Sequence, residues 1–276
     1  MPFTFSHPAA VARLSRFGLI LSALVIGSMS PDLPFFLPEP LIGHYGHTLV
    51  GVFLLAPLIT FLLLAVLHGF LKRPLSLLLP YSHQRRLQPY LQSFAFAPWR
   101  RILLILCSAW LGALSHVAWD SFTHRRGWFV RRFPVLQLPL VINSHIQIQA
   151  YRVVQHVSSV IGLALLAYWY WRWFQRAPEH PLIREIEFPG WSRAVAAIVL
   201  MASIATPFAW NMYPPPHTTL GWQRYAGFSV VQSIQVALGV MILFSAACHW
   251  ALYKRKKQLK TGENCSLTPP DTWPRI

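Results

Sequence analysis

The sequence predicts an all-α fold, a polytopic bundle of about six transmembrane helices. Composition supports this class, because 54% of the residues are hydrophobic and only 12% are charged. The distribution of charge supports it too, since the Lys and Arg residues behind the formal net charge of +16 lie mostly between long uncharged stretches. A disordered basic tail or a nucleic-acid-coating domain would lack such stretches, so no nucleic-acid partner is expected.

The clearest predicted span is residues 49–67, which contain no charged side chain. A bilayer core of about 30 Å needs about 20 helical residues, so this run is long enough to cross. Four later stretches have the same character and the Arg, Lys, Trp or Tyr flanks that suit the headgroup region. They are residues 102–119, 153–173, 194–210 and 228–253. Residues 9–29 complete the set as a retained first helix, because Pro31-Asp32-Leu33-Pro34 is a poor signal-peptide cleavage site.

The sequence also predicts the domain organisation, from repeats and linkers, and the orientation in the membrane, from the charges. No repeat or Gly/Ser linker divides the chain, so residues 1–253 are predicted to form one transmembrane domain. Residues 254–276 begin with Lys and Arg and are predicted to form a disordered basic tail, retained in the cytoplasm. Counting back over six spans places the N-terminus, with Arg13 and Arg16, and the second and fourth loops inside. The arginine-rich third loop would then lie outside, against the charge rule.

Three polar side chains stand out at the end of the third predicted span. His116, Asp120 and His124 are four residues apart, so a continuing helix would present them on one face. One turn rises about 5.4 Å, close enough for neighbouring side chains to share or bridge cations. An HxxxD pair alone is weak and can be a hydrogen-bonded pair in a bundle. Within a membrane, an ionisable side chain costs about 2.5 kcal/mol or more and normally faces a cavity or a partner.

Alternating spans bring four helix ends to the face where this stripe lies. Polar residues occur at each of these ends, so we expect them to converge although they are scattered along the chain. They are Asp32, His44 or His47, His116, Asp120, His124 and His156. His7 precedes Asp32 by about 25 residues, and over a straight helix that is nearly a membrane thickness. It can therefore join the site only if the first helix is short or re-entrant.

Carboxylate and imidazole groups without thiolates fit a Zn²⁺ site, with Mn²⁺ as the alternative, in which an open position holds a water. Asp32 and Asp120 are then the candidate catalytic carboxylates. Asp120 can bridge to a second ion held by His124 and His156, and Asp32 can alternatively serve as general base. The competing interpretation is a polar network that only packs four helix ends together.

Four arginines, Arg125, Arg126, Arg131 and Arg132, immediately follow the stripe. The planar guanidinium group matches phosphate, so these residues are predicted to bind a phosphoester or an anionic headgroup beside the metal. Contact with surface lipid alone explains them equally well.

Five segments of the sequence resemble segments of a known protein family. They are MPFTFSHPAAV, ALVIGSMSPDLPFF, GHTLVG, GALSHVAWDSFTHRRG and VVQHVSSVIG. Over about the first 165 residues the chain resembles an uncharacterised bacterial integral membrane family, domain-of-unknown-function family 4184, and the rest is similar by hydropathy. This resemblance implies a protein of the bacterial inner (cytoplasmic) membrane and no established activity.

A more distant similarity is to inner-membrane metal-dependent hydrolases and zinc-dependent phospholipase C. Those proteins carry an Asp, a His 12 to 15 positions later and an HxxxD, which Asp32, His44 or His47, and His116 with Asp120 match. The similarity also implies His7, His124 and His156 as ligands. The late HxxxE of the soluble members is missing, because Val160 follows His156 by four residues. One or two metals are therefore expected rather than three.

The predicted function is a membrane-embedded metal-dependent hydrolase, acting on a phosphoester or lipid-linked ester near the outer membrane face, with membrane lipids as partners. A transporter or metal permease is one alternative, although its ligands should lie near the midplane on interrupted helices. A non-catalytic membrane protein, in which the cluster is structural, is the other. A pocket beside Asp120 that opens to lipid or water would favour the catalytic interpretation.

Overall fold

The computed structural model describes residues 3–36, 45–143, 146–182, 190–209 and 219–261. These residues are mostly helical, which confirms the predicted all-α class. The strands within these ranges are β1 (Pro139–Asn143) and β2 (Ile146–Gln149), an antiparallel pair in the third predicted loop that the sequence analysis did not anticipate.

The helices are numbered in chain order. They are α1 (Pro8–Val11), α2 (Leu21–Met29), α3 (Ala56–Val66), α4 (Lys72–Ser76), α5 (Tyr81–Leu87), α6 (Trp99–Thr123), α7 (Trp128–Arg132), α8 (Ala150–Arg176), α9 (Gly190–Ala209) and α10 (Thr219–Thr261). Short 3-10 helices cover Thr4–Ser6, Ala12–Phe17, Leu33–Phe36, Gln88–Leu91 and Pro134–Gln137. The π-helical segments Gly51–Leu55 and Leu67–Leu71 flank α3, so the chain stays helical from Gly51 to Ser76.

Four of these helical stretches are long and apolar enough to cross a membrane. They are Gly51–Ser76, Trp99–Arg132, Ala150–Arg176 and Tyr225–Gln258. Each coincides with a predicted span, and together they indicate a membrane protein. The fifth predicted span corresponds to α9, whose apolar part is the shorter Ala196–Thr206. The expected count of about six spans is therefore not confirmed by the described residues.

The outer surface of the bundle exposes many large apolar side chains. Leu54, Leu58 and Leu62 lie one turn apart and expose 67%, 66% and 62% of their surface. A soluble protein rarely leaves a contiguous apolar stripe uncovered, whereas lipid is the natural partner of such a face. Inside, the buried side chains of Ala23 and Ile105 pack with Leu64 and join α2, α6 and α3.

The first predicted helix, residues 9–29, is broken in the structure. The 3-10 helix Ala12–Phe17 ends at Gly18, which adopts the left-handed conformation with φ of 85° that glycine accepts without strain. The following α2 has only 9 residues. A helix of that length rises about 14 Å, less than half of the bilayer core.

Residues 3–32 consequently form a hairpin rather than a full crossing. The first arm of the hairpin, before Gly18, begins beside α8, where the backbone N–H of Phe3 donates to Ser159 Oγ over 3.3 Å. The returning arm, α2, runs parallel to α6, because the Ile20 N–H donates to Ser108 Oγ and Ser28 lies beside His116. The hairpin therefore starts and ends at one end of the bundle, whereas a count of six spans predicts that its two ends lie on opposite sides. Arg13, near the turn, lies over the Trp169 ring, in the half of α8 that is remote from Asp32.

Two glycines allow α2 and α6 to approach each other closely. A Cβ atom on Gly112 would lie 2.5 Å from the backbone nitrogen of Ser28, and one on Gly27 would lie 2.6 Å from the carbonyl oxygen of Ala109. Any larger residue would force the helices apart. This close packing sets the distance between the end of α2 and the polar stripe on α6.

Candidate metal centre

Four side chains converge where the hairpin returns to the end of α6. Asp32 follows α2, His47 precedes the helix that starts at Gly51, and His116 and Asp120 lie on successive turns of α6. One ligand atom from each of these residues lies within 4.8 Å of the other three. Three separate stretches of chain thus supply two carboxylates and two imidazoles to one point.

The distances between these atoms fit a small metal ion with four ligands in tetrahedral geometry. His47 Nε2 lies 3.2 Å from Asp120 Oδ2 and 3.5 Å from Asp32 Oδ1. His116 Nε2 lies 3.3 Å from Asp120 Oδ2, 3.5 Å from Asp32 Oδ1 and 3.3 Å from His47 Nε2. A tetrahedron with zinc–ligand bonds of 2.0–2.1 Å has edges of about 3.3 Å. Five of its six edges are therefore present, and the cluster can hold a metal ion.

The backbone of α2 determines which nitrogen of His116 faces the cluster. His116 Nδ1 lies 2.7 Å from the carbonyl oxygen of Ser28, which can only accept, so Nδ1 carries the donated proton. The lone pair of the neutral imidazole is then on Nε2, the atom that faces Asp32, Asp120 and His47. An imidazole oriented through its second nitrogen is the usual arrangement of a metal-binding histidine.

Asp32 is held from its other side. The Thr4 hydroxyl donates to Asp32 Oδ2 over 2.7 Å, whereas Oδ1 is buried, faces the cluster and has no hydrogen-bond partner. Burial raises the pKa of Asp32, and the hydrogen bond from the Thr4 hydroxyl acts in the opposite direction. Oδ1 is thus the carboxylate oxygen that is left to face the cluster.

A further imidazole lies behind Asp120. His7 is 1% exposed, stacks on the His116 ring at a centroid distance of 3.9 Å, and places Nε2 3.7 Å from Asp120 Oδ1. Neither of its ring nitrogens has a hydrogen-bond partner. Burial lowers the pKa of His7 to about 4, with a further contribution from His116, so the ring is neutral at pH 7. His124 Nδ1 lies 3.5 Å from the same oxygen, so Asp120 faces an imidazole pair with each of its oxygens.

The cluster is open on one side. The side chains of His47 and His124 are 31% and 33% exposed, whereas those of Asp32 and His116 are 1% and 0% exposed. A small molecule arriving from the end of the bundle would meet His47 and His124 first. The exposed arginines Arg125 and Arg126 follow directly in the turn after α6, and Arg131 and Arg132 end α7.

The structure does not bring every predicted residue to the cluster. His156 lies on an exposed part of α8, and the neighbouring Gln155 is the buried residue there. His44 lies outside the described residues. His7 does reach the cluster, because the first helix is short and the chain turns back at Gly18.

Two contributors were missed by the sequence analysis. Thr4 positions Asp32 through its hydroxyl, and Ser28 positions His116 through its backbone carbonyl. Thr4 lies three residues before His7. If the N-terminal segment is expected to fold back to the cluster, this closeness to His7 makes Thr4 a candidate partner of the cluster. A backbone acceptor such as that of Ser28 leaves no trace in the sequence.

The fold and this cluster together define a helical membrane protein with a buried His/Asp site at one end of its bundle. Residues 1–252 match the model of DUF4184, a family described as a domain of unknown function, and the chain belongs to that family. No curated protein and no solved structure matches it.

Proposed function

We propose that the protein is a membrane-embedded, zinc-dependent hydrolase that cleaves a phosphoester or lipid-linked ester at the membrane face where α6 ends. The observation that carries this proposal is the set of five inter-ligand distances of 3.2–3.5 Å among Asp32, His47, His116 and Asp120. The donor set, two carboxylates and two imidazoles, suits Zn²⁺ or Mn²⁺.

A purely structural network accounts less well for the same atoms. His116 Nε2 has three close polar neighbours, yet an imidazole nitrogen can donate at most one hydrogen. Asp32 Oδ1, Asp120 Oδ1 and both nitrogens of His7 are buried without a hydrogen-bond partner. An unsatisfied buried polar group costs about 1–3 kcal/mol, so several together are expensive in a network whose only role is packing.

The residues divide into three roles in this proposal. Asp32, His47, His116 and Asp120 hold the metal, which when bound polarises a phosphoryl oxygen and lowers the pKa of a coordinated water. Asp32 acts as a ligand rather than a general base, because Thr4 holds its outer oxygen. Arg125 and Arg126 lie next to the open side and attract the phosphate group of the substrate.

The position of the cluster favours hydrolysis over transport. Permeases bind their cargo near the middle of the membrane, on helices that are interrupted there. Here the ligands come from the last two turns of α6, from the residues after α2 and from those before Gly51. All of them are at one end of the helices, where water and lipid headgroups are accessible.

Metal content tests the proposal directly. The full chain is purified in detergent and its zinc and manganese are measured by elemental mass spectrometry, for the wild type and for His47→Ala, His116→Ala and Asp120→Ala. The control is His156→Ala, which removes an exposed imidazole of α8 outside the cluster. We expect about one zinc per chain in the wild type and the control, and loss of the metal in the three cluster variants.

His47→Ala is the most informative variant, because His47 is partly exposed and its loss should disturb folding least. Metal retained by all three cluster variants would overturn the site. If metal is lost as expected, hydrolysis of phospholipids and lipid-linked phosphates is assayed with a chelator and after zinc is restored. Metal binding without any zinc-dependent hydrolysis would retain the site and reject the activity.

A further inference from the structure

The chain changes direction at the end of α6, on the side of the bundle that carries the metal cluster. Between α6 and α7 the backbone is extended at His124 and at Gly127, so the helix is broken there. The rings of Phe122 and Phe129 stack face to face, with centroids 3.8 Å apart and an interplanar angle of 11°. In an unbroken helix these two residues would be about 10.5 Å apart along the axis. α7 therefore folds back against the last turn of α6.

A row of aromatic side chains lies across this turn. Phe129 is also parallel to Phe133, with centroids 5.9 Å apart, so the rings of Phe122, Phe129 and Phe133 form an aromatic ladder. The Trp128 ring packs edge-on against Phe129, with centroids 4.7 Å apart. Phe122, Trp128 and Phe133 are exposed, Trp128 by 58%. The described residues thus leave one side of the ladder uncovered.

The aromatic ladder continues the exposed apolar stripe of α6. Leu111, Leu114, Ala118 and Phe122 follow one another at intervals of three or four residues and are all exposed, so they form one face of the helix. The 25 residues of α6 rise about 37 Å, more than the hydrocarbon core of about 30 Å. When Trp99, exposed at the start of α6, lies at one membrane interface, Phe122 therefore lies at the other.

The segment that carries the ladder is fixed to the rest of the bundle. Val130 in α7 is buried, and the side-chain amide of Gln137 donates to its carbonyl oxygen over 2.8 Å. The N–H of Ala150, at the start of α8, donates to the carbonyl oxygen of Leu138 over 3.0 Å. The exposed rings therefore belong to an element with a defined position on the bundle.

The charged side chains of the same segment are cationic. Arg131 and Arg132 end α7 and are exposed, and neither guanidinium group forms an ion pair with a residue that the structure describes. The sequence contains no Asp or Glu between Asp120 and Glu179. The charge of the segment itself is therefore positive, which complements the phosphate groups of an anionic lipid leaflet.

A bilayer interface accommodates both the rings and the guanidinium groups. Aromatic side chains, Trp above all, concentrate at the level of the headgroups. Segments with an apolar and a basic side lie in the plane of the interface, with the apolar side buried about 5–10 Å into the boundary between headgroups and acyl chains. In water alone, Trp128, Phe133 and Val135 would all remain hydrated, whereas burial of their apolar surface is favourable.

We propose that residues 122–140 form an interfacial membrane element. The aromatic ladder lies among the upper parts of the acyl chains, and Arg131 and Arg132 contact the phosphate groups of anionic lipids. The bilayer is thus the occupant of this face. Because the element includes His124, the open side of the metal cluster lies at the level of the lipid headgroups. The proposal depends neither on a bound metal nor on the proposed hydrolysis.

Fluorescence quenching measures the depth of this element in the full chain. Trp128→Cys and Phe133→Cys are made separately in a chain whose own three cysteines are replaced. Each is labelled with a small environment-sensitive fluorophore and reconstituted into vesicles of phosphatidylcholine and phosphatidylglycerol. The controls are Leu62→Cys, on the exposed apolar stripe of α3, and Ser93→Cys, at an exposed serine before α6. The quenchers are aqueous iodide, a lipid spin-labelled near its headgroup and a lipid spin-labelled near the end of its acyl chain.

We expect the labels at positions 128 and 133 to be quenched most by the lipid that is spin-labelled near its headgroup. The label at position 62 should be quenched most by the deeper spin label, and the label at position 93 by iodide. Quenching of positions 128 and 133 by iodide alone would overturn the proposal, because the element would then lie in water. Protection from all three quenchers would also overturn it, since a protein surface, such as that of a second copy of the chain, would then cover the ladder.

Substitution of both arginines tests the contact with lipid phosphate groups. In the Phe133→Cys chain, quenching by the headgroup spin label should be stronger with phosphatidylglycerol than in phosphatidylcholine alone. This difference should be lost in Arg131→Gln/Arg132→Gln, and it should be kept in the matched control Arg172→Gln/Arg176→Gln, which removes two arginines at the far end of α8. An equal effect of phosphatidylglycerol in both double variants would overturn the contact between α7 and anionic lipid.

Discussion

Thr4 contributes a single hydroxyl group to the cluster, and that group determines how Asp32 is presented. Its hydrogen bond occupies Asp32 Oδ2 and leaves Oδ1 directed at His47 and His116. Both partners are buried, so no water replaces the bond when it is removed.

Replacement of Thr4 by Val should therefore weaken metal binding without touching a ligand. Loss of an outer hydrogen bond to a metal ligand lowers metal affinity about 10- to 100-fold. Competition with a chromophoric chelator measures the affinity, and Thr4→Ser, which keeps the hydroxyl, should bind like the wild type. Unchanged affinity in Thr4→Val would show that Asp32 does not depend on this bond.

The ligand residues were largely accessible to sequence reasoning, and their supports were not. Alternation of spans brings Asp32, His47, His116 and Asp120 to one face, because consecutive helix ends emerge on the same side. The alternation of spans carries no information on hydroxyl or carbonyl partners, so Thr4 and Ser28 cannot be identified from it. His156 meets the same condition of lying near a helix end, since periodicity alone does not say which face of α8 turns inward.

The packing of α2 on α6 shows how one element depends on the size of a single residue. Gly112 faces the backbone of α2 at a distance that excludes even a methyl group. Gly69, in the π-helical segment Leu67–Leu71, has no atom within 4 Å of the place where a Cβ would lie. The two glycines are in helical segments but differ in their surroundings.

Gly112→Ala should destabilise the protein, whereas Gly69→Ala should not. In an open helical position alanine is favoured over glycine by up to about 1 kcal/mol, so Gly69→Ala is expected to be neutral or stabilising. At Gly112 the added methyl forces the helices apart at a cost of about 1–3 kcal/mol. Thermal unfolding in detergent compares the two variants, and equal midpoints would contradict the close contact between α2 and α6. The Gly112→Ala protein should also bind zinc more weakly, since Ser28 moves away from His116.

Hydropathy predicted the long helices well because a membrane-crossing helix needs only length and apolar composition. The stretches around residues 49–67, 102–119, 153–173 and 228–253 all contain long apolar helices in the structure. The N-terminal hairpin could be anticipated only as an alternative, a short or re-entrant first helix, because its turn depends on one glycine, Gly18. The β1–β2 pair was missed since short strands in a long loop have no distinctive periodicity.

The molecule as a whole has two chemically different ends. One end carries the His/Asp cluster and the arginines after α6, and the other carries Glu179 paired with Arg85 and Arg86. The hairpin starts and ends at the first of these ends, and its turn extends into the bundle, where Arg13 lies over the Trp169 ring. The fold therefore places Phe5 at the same end as Arg126 and opposite Tyr90.

Cysteine labelling in oriented vesicles tests this arrangement. Phe5→Cys, Arg126→Cys and Tyr90→Cys are made separately in a chain whose own cysteines, Cys107, Cys248 and Cys265, are replaced. Positions 5 and 126 should react with an impermeant maleimide from one side, and position 90 from the other. Reaction of positions 5 and 90 from the same side would mean that the first segment crosses the membrane fully. The side on which position 126 reacts also assigns the third loop, for which the charge rule was inconsistent.

The N-terminal hairpin also constrains the order in which the protein can be assembled. Asp32 is made 120 − 32 = 88 residues before Asp120, and His7 earlier still. The helix α2, which lies between His7 and Asp32, is too short to cross a bilayer by itself. His7 and Asp32 therefore have no partners on α6 until that helix has been inserted. A nascent chain that stops before His116 carries only Asp32 and His47 of the four cluster residues. The complete cluster therefore forms only after the third apolar segment of the chain has left the ribosome.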